Sequence, residues 1–193
     1  MTLDQVVLLA EDGAPTGAAP RATVHTVDTP LHLAFSCYLT DERGRLLLTR
    51  RALSKRTWPG VWTNSFCGHP RPGEDITAAV IRYGRLELGL EVRDVHQVLP
   101  DFRYRATDAS GVVENEICPV HVATTDQEPR PDPDEVMQHV WVEPADAVRA
   151  VETAPWALSP WMVTQVPLLV RAGHLAGMDG AARPGGPTLR SPT

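Results

Sequence analysis

Length, composition and charge restrict the class of protein that this chain can be. Its 193 residues, 42% of them hydrophobic, are enough for one well-buried core and too few for two of ordinary size. The net charge of -6 and the sequence pI of 5.6 argue against a general affinity for nucleic acid or for anionic membranes. We therefore expect neither as a partner, and we expect any anionic ligand to be held by a local basic cluster.

The N-terminal residues and the cysteines indicate a cytoplasmic protein. Residues 1–10 contain no basic residue, and their apolar run over residues 6–10 is too short for a signal peptide or a membrane span. The three cysteines, Cys37, Cys67 and Cys118, are an odd number without metal-type spacing, which fits reduced thiols. Cys37 and Cys118 lie in apolar strand runs, where we expect them to be packing residues.

Alternation of apolar residues predicts the first strands. Residues 5–10 are expected to form a strand that ends at Asp12-Gly13, and the segment 14–22, rich in Ala, Pro and Gly, is expected to be a loop. Between residues 31 and 39 the large apolar residues recur at every second position, so that His32 faces the other way, beside Ala34 and Ser36. The second face of this predicted strand is small and polar.

A basic segment follows the next predicted strand, residues 45–49. Residues 50–56 contain four cations, Arg50, Arg51, Lys55 and Arg56. A solvated loop explains such a run of charge. A phosphate-holding loop explains it as well, because arginine offers forked donors and lysine a compact charge.

The stretch 62–74 places a thiol, an imidazole and two glycines within a few residues of one another. A predicted strand over residues 61–66 leads into Cys67, and an irregular turn containing His69 follows. Glu74 and Asp75 then open a predicted helix that continues to about Leu88, since acidic residues suit the first turn of a helix.

Glu87 occupies an unusual position on this predicted helix. At 100° per residue it lies within an apolar stripe. The stripe consists of Ile76, Ala79, Val80, Tyr83, Leu86 and Leu90. A buried, unpaired carboxylate would cost several kcal/mol in desolvation, so a cation would have to meet it. The alternative is that Glu87, near the helix end, reaches solvent.

The second half of the chain brings two more acids together. Residues 91–99 are a predicted strand, and residues 101–107 and 112–122 a predicted hairpin whose second arm holds Glu114 and Glu116. Alternate strand residues share a face, roughly 6.6 Å apart at the backbone. Carboxylates this close repel each other, share a proton or bind a metal, whereas on an exposed edge strand they would mean little.

The C-terminal segments complete one predicted domain, residues 1–173. A loop over residues 128–134, a strand over 138–142 and a helix over 144–151 are followed by a last helix that continues to about residue 173. Ser159 is its predicted N-cap and Pro160 its first residue. The tail, residues 174–193, is rich in Gly, Ala and Pro and is expected to be disordered.

Five of these residues can together supply nitrogen and oxygen ligands to one divalent metal. They are His25, His32, His69, Glu114 and Glu116. Mixed imidazole and carboxylate ligands suit manganese, zinc or iron better than magnesium. Glu87 together with phosphate oxygens would instead suit magnesium.

Several motifs, in their order and spacing, resemble type I isopentenyl diphosphate isomerases, a branch of the Nudix fold. The matching segments are Cys67-Gly68-His69-Pro70, Gly73-Glu74, Glu114-Asn115-Glu116 and Ser159-Pro160-Trp161-Met162, and the resemblance covers about residues 3–171. It implies an α/β fold with mixed β-sheets flanked by helices, an α/β/α sandwich. It also implies an isomerase of isoprenoid biosynthesis that converts isopentenyl diphosphate into dimethylallyl diphosphate by a 1,3-allylic proton shift.

The resemblance implies the catalytic residues. Cys67 and Glu116 match the two positions that protonate and deprotonate the substrate on opposite faces through a tertiary carbocation, with the acid and base roles left open. Tyr104 matches a residue that hydrogen-bonds near Glu116. Trp161 matches an aromatic wall over the cation, although without the resemblance it would be interpreted as a core tryptophan.

The resemblance also implies the ligands. Arg21, Arg51 and Lys55 would hold the diphosphate of a small prenyl diphosphate together with Mg²⁺ at Glu87. One further divalent metal, Mn²⁺, Zn²⁺ or Mg²⁺, would occupy the site of three histidines and two glutamates. We expect a monomer or a weak homodimer.

The chain departs from the Nudix hydrolase pattern at two positions. Gly68, Glu74, Arg82 and Glu87 match the Nudix box, but Tyr83 and Leu86 stand where hydrolases of the superfamily have acids. A Nudix hydrolase of nucleoside or prenyl diphosphates, an isomerase of a related prenyl diphosphate and a non-catalytic diphosphate- or metal-binding domain are the alternatives. Isomerases of this family commonly have arginine at the position of Tyr83, so the chain is expected to bind its substrate more weakly than a typical member or to take a slightly different diphosphate.

Overall fold

A computed structural model describes residues 4–175 of the chain. Its strands are β1 (Gln5–Leu9), β2 (Pro15–Pro20), β3 (His32–Leu33), β4 (Phe35–Thr40), β5 (Leu46–Arg51), β6 (Trp62–Thr63), β7 (Phe66–Gly68), β8 (Arg93–Leu99), β9 (Arg103–Thr107), β10 (Val113–Ile117), β11 (Val120–Thr124) and β12 (Val136–Val142). Its helices are α1 (Arg21–Val24), α2 (Ile76–Leu88), α3 (Pro144–Thr153) and α4 (Pro160–Arg171), and a short 3-10 helix spans Pro155–Ala157.

The smaller sheet has five strands in the order β2-β1-β3-β10-β9. Strand β10 pairs in parallel with β3 and antiparallel with β9. This register sets Glu116 beside His32 on one side and beside Tyr104 on the other. Three of the predicted site residues therefore lie in one row across neighbouring strands.

The larger sheet has seven strands, with β12-β5-β4-β11-β8 as its main path, β6 paired to β5 and β7 paired to β4. In the antiparallel pairing of β4 with β7, Cys67 lies opposite Ser36. The pairing of β4 with β11 is parallel. Cys67 is thus held in the larger sheet, whereas Glu116 belongs to the smaller one.

Strand β4 divides the core, because its side chains alternate between the two faces of the sheet. Phe35, Cys37 and Leu39 pack in a cluster with helix α2, whereas Tyr38 packs in a second cluster with α3 and α4. Helices therefore cover both faces of this sheet, which confirms the predicted α/β sandwich of mixed sheets.

Helix α2 is capped at both ends, and Asp75, which was predicted to lie in its first turn, is its N-cap. Asp75 Oδ1 accepts a hydrogen bond from the backbone N–H of Ala78 over 3.1 Å, and Gly89 ends the helix with a φ of 62°, where a residue without Cβ is unstrained. Glu87 is only 9% exposed, so the interpretation that it reaches solvent is wrong.

Helix α4 begins as predicted, with Ser159 as N-cap and Pro160 at its first position.

The prediction of a loop over residues 14–22 is wrong. It forms β2, which pairs antiparallel with β1, and Arg21 then begins the short helix α1. Strand β2 lies at the edge of the smaller sheet, where prolines are tolerated because one side of the strand needs no N–H donors.

Three continuous predicted strands are each divided in two. The segment 31–39 becomes β3 and β4, the segment 112–122 becomes β10 and β11, and the segment 61–66 becomes β6 and part of β7. In the first two cases the chain leaves the smaller sheet and enters the larger one. Pro119, which lacks a backbone N–H, lies between β10 and β11.

Most of the predicted tail, residues 176–193, lies outside the described residues. Leu175 is described, and it is buried in the cluster that includes α4. Over residues 4–175 no helix is long and apolar enough to cross a membrane.

Candidate active site

A pocket of about 350 Å³ receives side chains from both sheets. Most of the predicted site residues line it: Arg21, His25, Arg51, Lys55, Cys67, His69, Glu87, Tyr104, Glu114, Glu116 and Trp161. His32 is fully buried and contacts the pocket residue Glu116. The fold therefore brings together residues that are separated by up to 140 positions in the sequence.

Three histidines and one glutamate form a compact group of potential metal ligands. One ligand atom from each of His25, His32, His69 and Glu116 lies within 4.8 Å of all the others. Glu116 Oε1 is 3.2 Å from His69 Nε2 and 3.4 Å from His32 Nε2. Four of the five predicted ligands thus converge on one point.

The fifth predicted ligand, Glu114, approaches this group through His25. Its Oε2 lies 3.0 Å from His25 Nε2 without the geometry of a hydrogen bond, and its Oε1 accepts a hydrogen bond from Thr57 Oγ1 over 2.7 Å. Glu114 is therefore adjacent to the compact group but is not one of the four mutually close ligands.

The donor set fits a divalent metal. His25 Nε2, His32 Nε2 and Glu114 Oε2 are buried and have no hydrogen-bond partner among residues 4–175. His32 Nδ1 lies 2.9 Å from the carbonyl oxygen of Pro30, which can only accept, so Nδ1 carries a proton and Nε2 is the ring nitrogen that faces the group. Unpaired buried atoms of this kind are costly unless an ion satisfies them.

Cys67 and Glu116 hold opposite protonation states. Burial raises the pKa of the Cys67 thiol to about 12, so the sulfur keeps its proton at neutral pH. Burial alone would raise the pKa of Glu116, but the interactions with His32 and His69 outweigh it and hold that pKa well below its usual value. The pocket therefore contains one proton donor and one ionised carboxylate.

Trp161 forms an aromatic wall of the pocket. It is 2% exposed, and its ring centroid lies 5.7 Å from that of Tyr104 and 5.5 Å from that of Trp58. The guanidinium carbon of Arg51 lies 5.4 Å from the Trp161 centroid, so the ring face already contacts a cation. The predicted catalytic tyrosine and tryptophan are thus neighbours.

The charges of the three predicted diphosphate ligands all act on Glu87, and two of them are paired with acids. Arg21 Nε donates to Asp4 Oδ2 over 2.5 Å, and Lys55 pairs with Glu135. Arg51 donates to the carbonyl oxygen of Thr57. Glu87 lines the pocket, and burial raises its pKa to about 7, while the charge of Lys55 opposes that shift.

The chain directly after the basic segment, residues 57–58, is fixed to the hairpin of β9 and β10, whereas Ser54 and Arg56 within the segment are exposed. Thr57 donates to Glu114, and the backbone N–H of Trp58 donates to Asp108 Oδ2 over 2.8 Å. Trp58 has a φ of 44°, in the left-handed region that a bulky residue rarely adopts. Sequence analysis missed Thr57, Asp108 and Glu135, because each depends on a contact distant in sequence.

Two residues of the Nudix box hold His69 in place. Arg82 forms an ion pair with Glu74, with Nη2 2.6 Å from Oε2, and the same nitrogen donates to the carbonyl oxygen of His69 over 3.1 Å. The two hydrogen bonds tie the turn that carries His69 to helix α2. The matched glutamate and arginine therefore serve the geometry of the histidine site.

Asn64 and Ser36 contact Cys67 directly, and sequence analysis missed them as well. Cys67 Sγ is 3.4 Å from Asn64 Oδ1 and 3.3 Å from Ser36 Oγ. Trp161 Nε1 donates to the same Asn64 oxygen over 2.9 Å. The sequence offered one signal for them: both are polar residues within apolar strand runs. Asn64 precedes Cys67 by three positions, and Ser36 lies opposite Cys67 in the pairing of β4 with β7.

Comparison with known proteins places this geometry in a family. The model of the NUDIX domain matches residues 30–163. An isopentenyl-diphosphate Delta-isomerase of Agromyces mediolanus is 62% identical over 164 residues, 85% of this chain and 80% of the relative. The isopentenyl-diphosphate Delta-isomerase of Clavibacter sepedonicus is 59% identical over 93% of this chain and 95% of its own length.

Solved structures show the same fold at low sequence identity. A crystal structure of a Deinococcus radiodurans protein, DR0079, has a TM-score of 0.64 and 18% identity and covers 85% of this chain and 98% of its own. The MutT protein of Methanosarcina mazei Go1 has a TM-score of 0.58 and 20% identity over 75% of this chain and 96% of its own. These similarities concern the fold alone.

Proposed function

The chain belongs to the NUDIX family and, within it, to the isopentenyl-diphosphate Delta-isomerases, and on that premise we propose that its pocket isomerises isopentenyl diphosphate to dimethylallyl diphosphate. The chain is an enzyme of the isomerase class. The roles given below to individual residues, the ions, a monomeric or weakly dimeric state and a cytoplasmic location are parts of this proposal.

One observation carries the proposal: Cys67 and Glu116 line the same pocket from different sheets. An allylic shift needs a proton added to one carbon and removed from another, and a protonated thiol and a carboxylate in one pocket offer one acid and one base. One of the pair protonates the alkene and the other removes a proton from the resulting tertiary cation. Tyr104, opposite Glu116 in register, supplies a phenol beside the carboxylate.

Trp161 stabilises the cationic intermediate. Its ring borders the pocket and is 2% exposed, so water has little access to its face. A dry cation–π contact is worth about 2 kcal/mol. The same enclosure keeps water from trapping the cation as an alcohol.

The basic side chains that surround Glu87 hold the diphosphate. Arg21, Arg51 and Lys55 provide three positive charges beside the buried carboxylate of Glu87. Substrate binding would exchange the acid partners of Arg21 and Lys55 for phosphate oxygens. Glu87 would hold Mg²⁺ there, and the histidine group would hold Mn²⁺, Zn²⁺ or Mg²⁺. Bound metals would supply positive charge that stabilises the diphosphate and sets the acidity of Glu116.

The arrangement of α2 does not favour diphosphate hydrolysis. Tyr83 is 4% exposed and packs its ring in the core, and Leu86 is 58% exposed. Neither position offers a carboxylate to the pocket. Glu87 is the α2 acid that lines it, which suits binding of one metal–diphosphate complex better than the multi-acid metal cluster of a hydrolase.

Proton NMR of isopentenyl diphosphate incubated with the protein, Mg²⁺ and Mn²⁺ tests the proposal. We expect vinylic CH₂ signals to be replaced by two allylic methyl signals, and we expect the conversion to be lost in Cys67→Ala and in Glu116→Gln. Trp156→Leu is a suitable control, because Trp156 is 81% exposed and lies outside the pocket lining. Release of phosphate in place of isomerisation would identify a hydrolase and overturn the proposal.

A further inference from the structure

A chain of buried polar side chains leads from the core to the sulfur of Cys67. Tyr38 OH donates to Gln165 Oε1 over 2.9 Å, and Gln165 Nε2 contacts Ser36 Oγ over 2.9 Å. Ser36 Oγ in turn lies 3.3 Å from Cys67 Sγ. Tyr38 is 1% exposed, and Gln165 and Ser36 are fully buried, so the bonds among these three side chains are shielded from solvent.

The direction of this chain follows from what each group can donate. The amide oxygen of Gln165 lies on the Tyr38 side, where it accepts from the phenol, and the amide nitrogen lies on the Ser36 side. The amide nitrogen therefore donates to the Ser36 oxygen. The single hydroxyl proton of Ser36 is then left for a sulfur atom, that of Cys67 at 3.3 Å or that of Cys118 at 3.4 Å.

Asn64 fixes the opposite side of the thiol. Its Nδ2 donates to the carbonyl oxygens of Cys37 over 3.0 Å and of Phe66 over 2.8 Å, and carbonyl oxygens only accept. This arrangement fixes the amide orientation, so that Oδ1 accepts from Thr63 Oγ1 over 2.8 Å and from Trp161 Nε1 over 2.9 Å, and faces the Cys67 sulfur at 3.4 Å. The proton of the Cys67 thiol consequently has an acceptor in Asn64, and the Ser36 hydroxyl lies within hydrogen-bond distance of the Cys67 sulfur.

We propose that Ser36 and Asn64 are positioning residues that hold the Cys67 thiol in one orientation, with Ser36 donating to the sulfur and Asn64 accepting the thiol proton. Gln165 and Tyr38 fix the direction of the Ser36 hydroxyl. Asn64 also aligns the thiol with the aromatic wall, because the same oxygen accepts from the indole of Trp161. The inference rests on the proposed function, in which Cys67 exchanges a proton with the substrate.

The two contacts serve different forms of the sulfur. Asn64 can accept from Cys67 only while the thiol proton is present, whereas Ser36 can donate to the sulfur with or without that proton. Loss of either contact would let the S–C bond rotate and move the proton away from a fixed position, which lowers the rate of proton transfer more than it weakens substrate binding.

The S–H stretching band in the infrared spectrum tests the arrangement without substrate. The Cys67 band is obtained by subtracting the spectrum of the same protein carrying Cys67→Ala from that of each protein. The subtraction removes the signals of the Cys37 and Cys118 thiols. We expect Asn64→Leu to move this band to higher frequency, because the thiol loses its acceptor. We expect Ser36→Ala and Gln165→Met to shift or broaden it. Thr125→Val, which removes a buried hydroxyl that donates to the backbone of Glu91, should leave it unchanged.

Kinetics of the same variants test the positioning role. We expect Ser36→Ala to lower kcat about tenfold with KM changed by less than about twofold, since one hydrogen bond made at the reacting group is lost. An unchanged Cys67 band in both Ser36→Ala and Gln165→Met would overturn the inference. So would a rise in KM at constant kcat. If Ser36→Ala fails to fold, the same measurements on Gln165→Met replace it, because Gln165 contacts Ser36 and not the thiol. If the wild-type protein does not isomerise the substrate, the proposed function fails, whereas the band positions still report on the thiol contacts.

Discussion

His69 Nε2 lies 3.2 Å from Glu116 Oε1, although His69 follows a strand of the larger sheet and Glu116 belongs to the smaller one. The ligand group that they share with His25 and His32 therefore joins the two sheets. An ion held there would bind the native chain and have no equivalent site in the unfolded one. Metal binding should consequently be linked to folding.

Mn²⁺ should raise the melting temperature of the protein. At a free concentration a hundred times the dissociation constant, binding to the native state alone contributes about 2.7 kcal/mol. His32→Asn should remove most of this rise, because it deletes a buried ligand. His96→Ala, which changes an exposed histidine outside the group, should retain it. Calorimetric scans with and without Mn²⁺ measure the effect, and an equal rise in His32→Asn would contradict the assignment of the site.

Substitution of Trp161 should reduce turnover in proportion to the loss of its π-face. Trp161→Leu removes the aromatic wall and should lower kcat about 30-fold, the equivalent of about 2 kcal/mol, and Trp161→Phe should lower it about tenfold. The matched control is Trp156→Leu at an exposed tryptophan. Steady-state isomerisation rates provide the measurement. A kcat of Trp161→Leu equal to that of the control would show that the ring is only a packing residue.

The local features of the fold were predictable, because they depend on short-range chemistry. The start of α2 beside Asp75 and the start of α4 at Ser159 and Pro160 follow from side chains within one helical turn, although Asp75 caps α2 and does not lie in its first turn. Helical periodicity placed Glu87 in the apolar stripe of α2, and the structure shows that its side chain is buried there. The positions of the divided strands did not follow, because apolar alternation is the same whether a strand stays in one sheet or crosses to another.

In the candidate site, the metal ligands were predictable from the sequence and the residues around the thiol were not. His25, His32, His69 and Glu116 were identified as possible ligands from residue type, and the structure brings them together. Asn64, Ser36 and Gln165 were missed, because amides and hydroxyls are common in every sequence. Their significance comes from burial and from contacts across as many as 129 positions, which periodicity does not reveal.

Arginine at position 83 should strengthen diphosphate binding. Tyr83 lines the pocket and can offer a ligand only a neutral hydroxyl, whereas a charge-assisted hydrogen bond contributes about 1.5–3 kcal/mol against about 1 for a neutral one. Tyr83→Arg should therefore bind inorganic pyrophosphate roughly 2- to 30-fold more tightly in a calorimetric titration. Tyr83→Phe, which removes only the hydroxyl, is the control and should not bind more tightly than the wild type. Equal affinities of wild type and Tyr83→Arg would refute the prediction.

Gly68→Ala should destabilise the protein through the ring of Tyr83. A Cβ at position 68 would lie 2.6 Å from ring atoms of Tyr83, which packs at 5.5 Å from the ring of Phe35 and cannot move freely. Overpacking of this kind costs about 1–3 kcal/mol in the free energy of unfolding. Gly17→Ala is the control, because nothing lies within 4 Å of its added Cβ. If the ring is the cause, Gly68→Ala should cost less when introduced into Tyr83→Ala than into the wild type. Urea unfolding of the four proteins of this double-mutant cycle measures the difference, and strict additivity would show that the strain at Gly68 lies in the backbone instead.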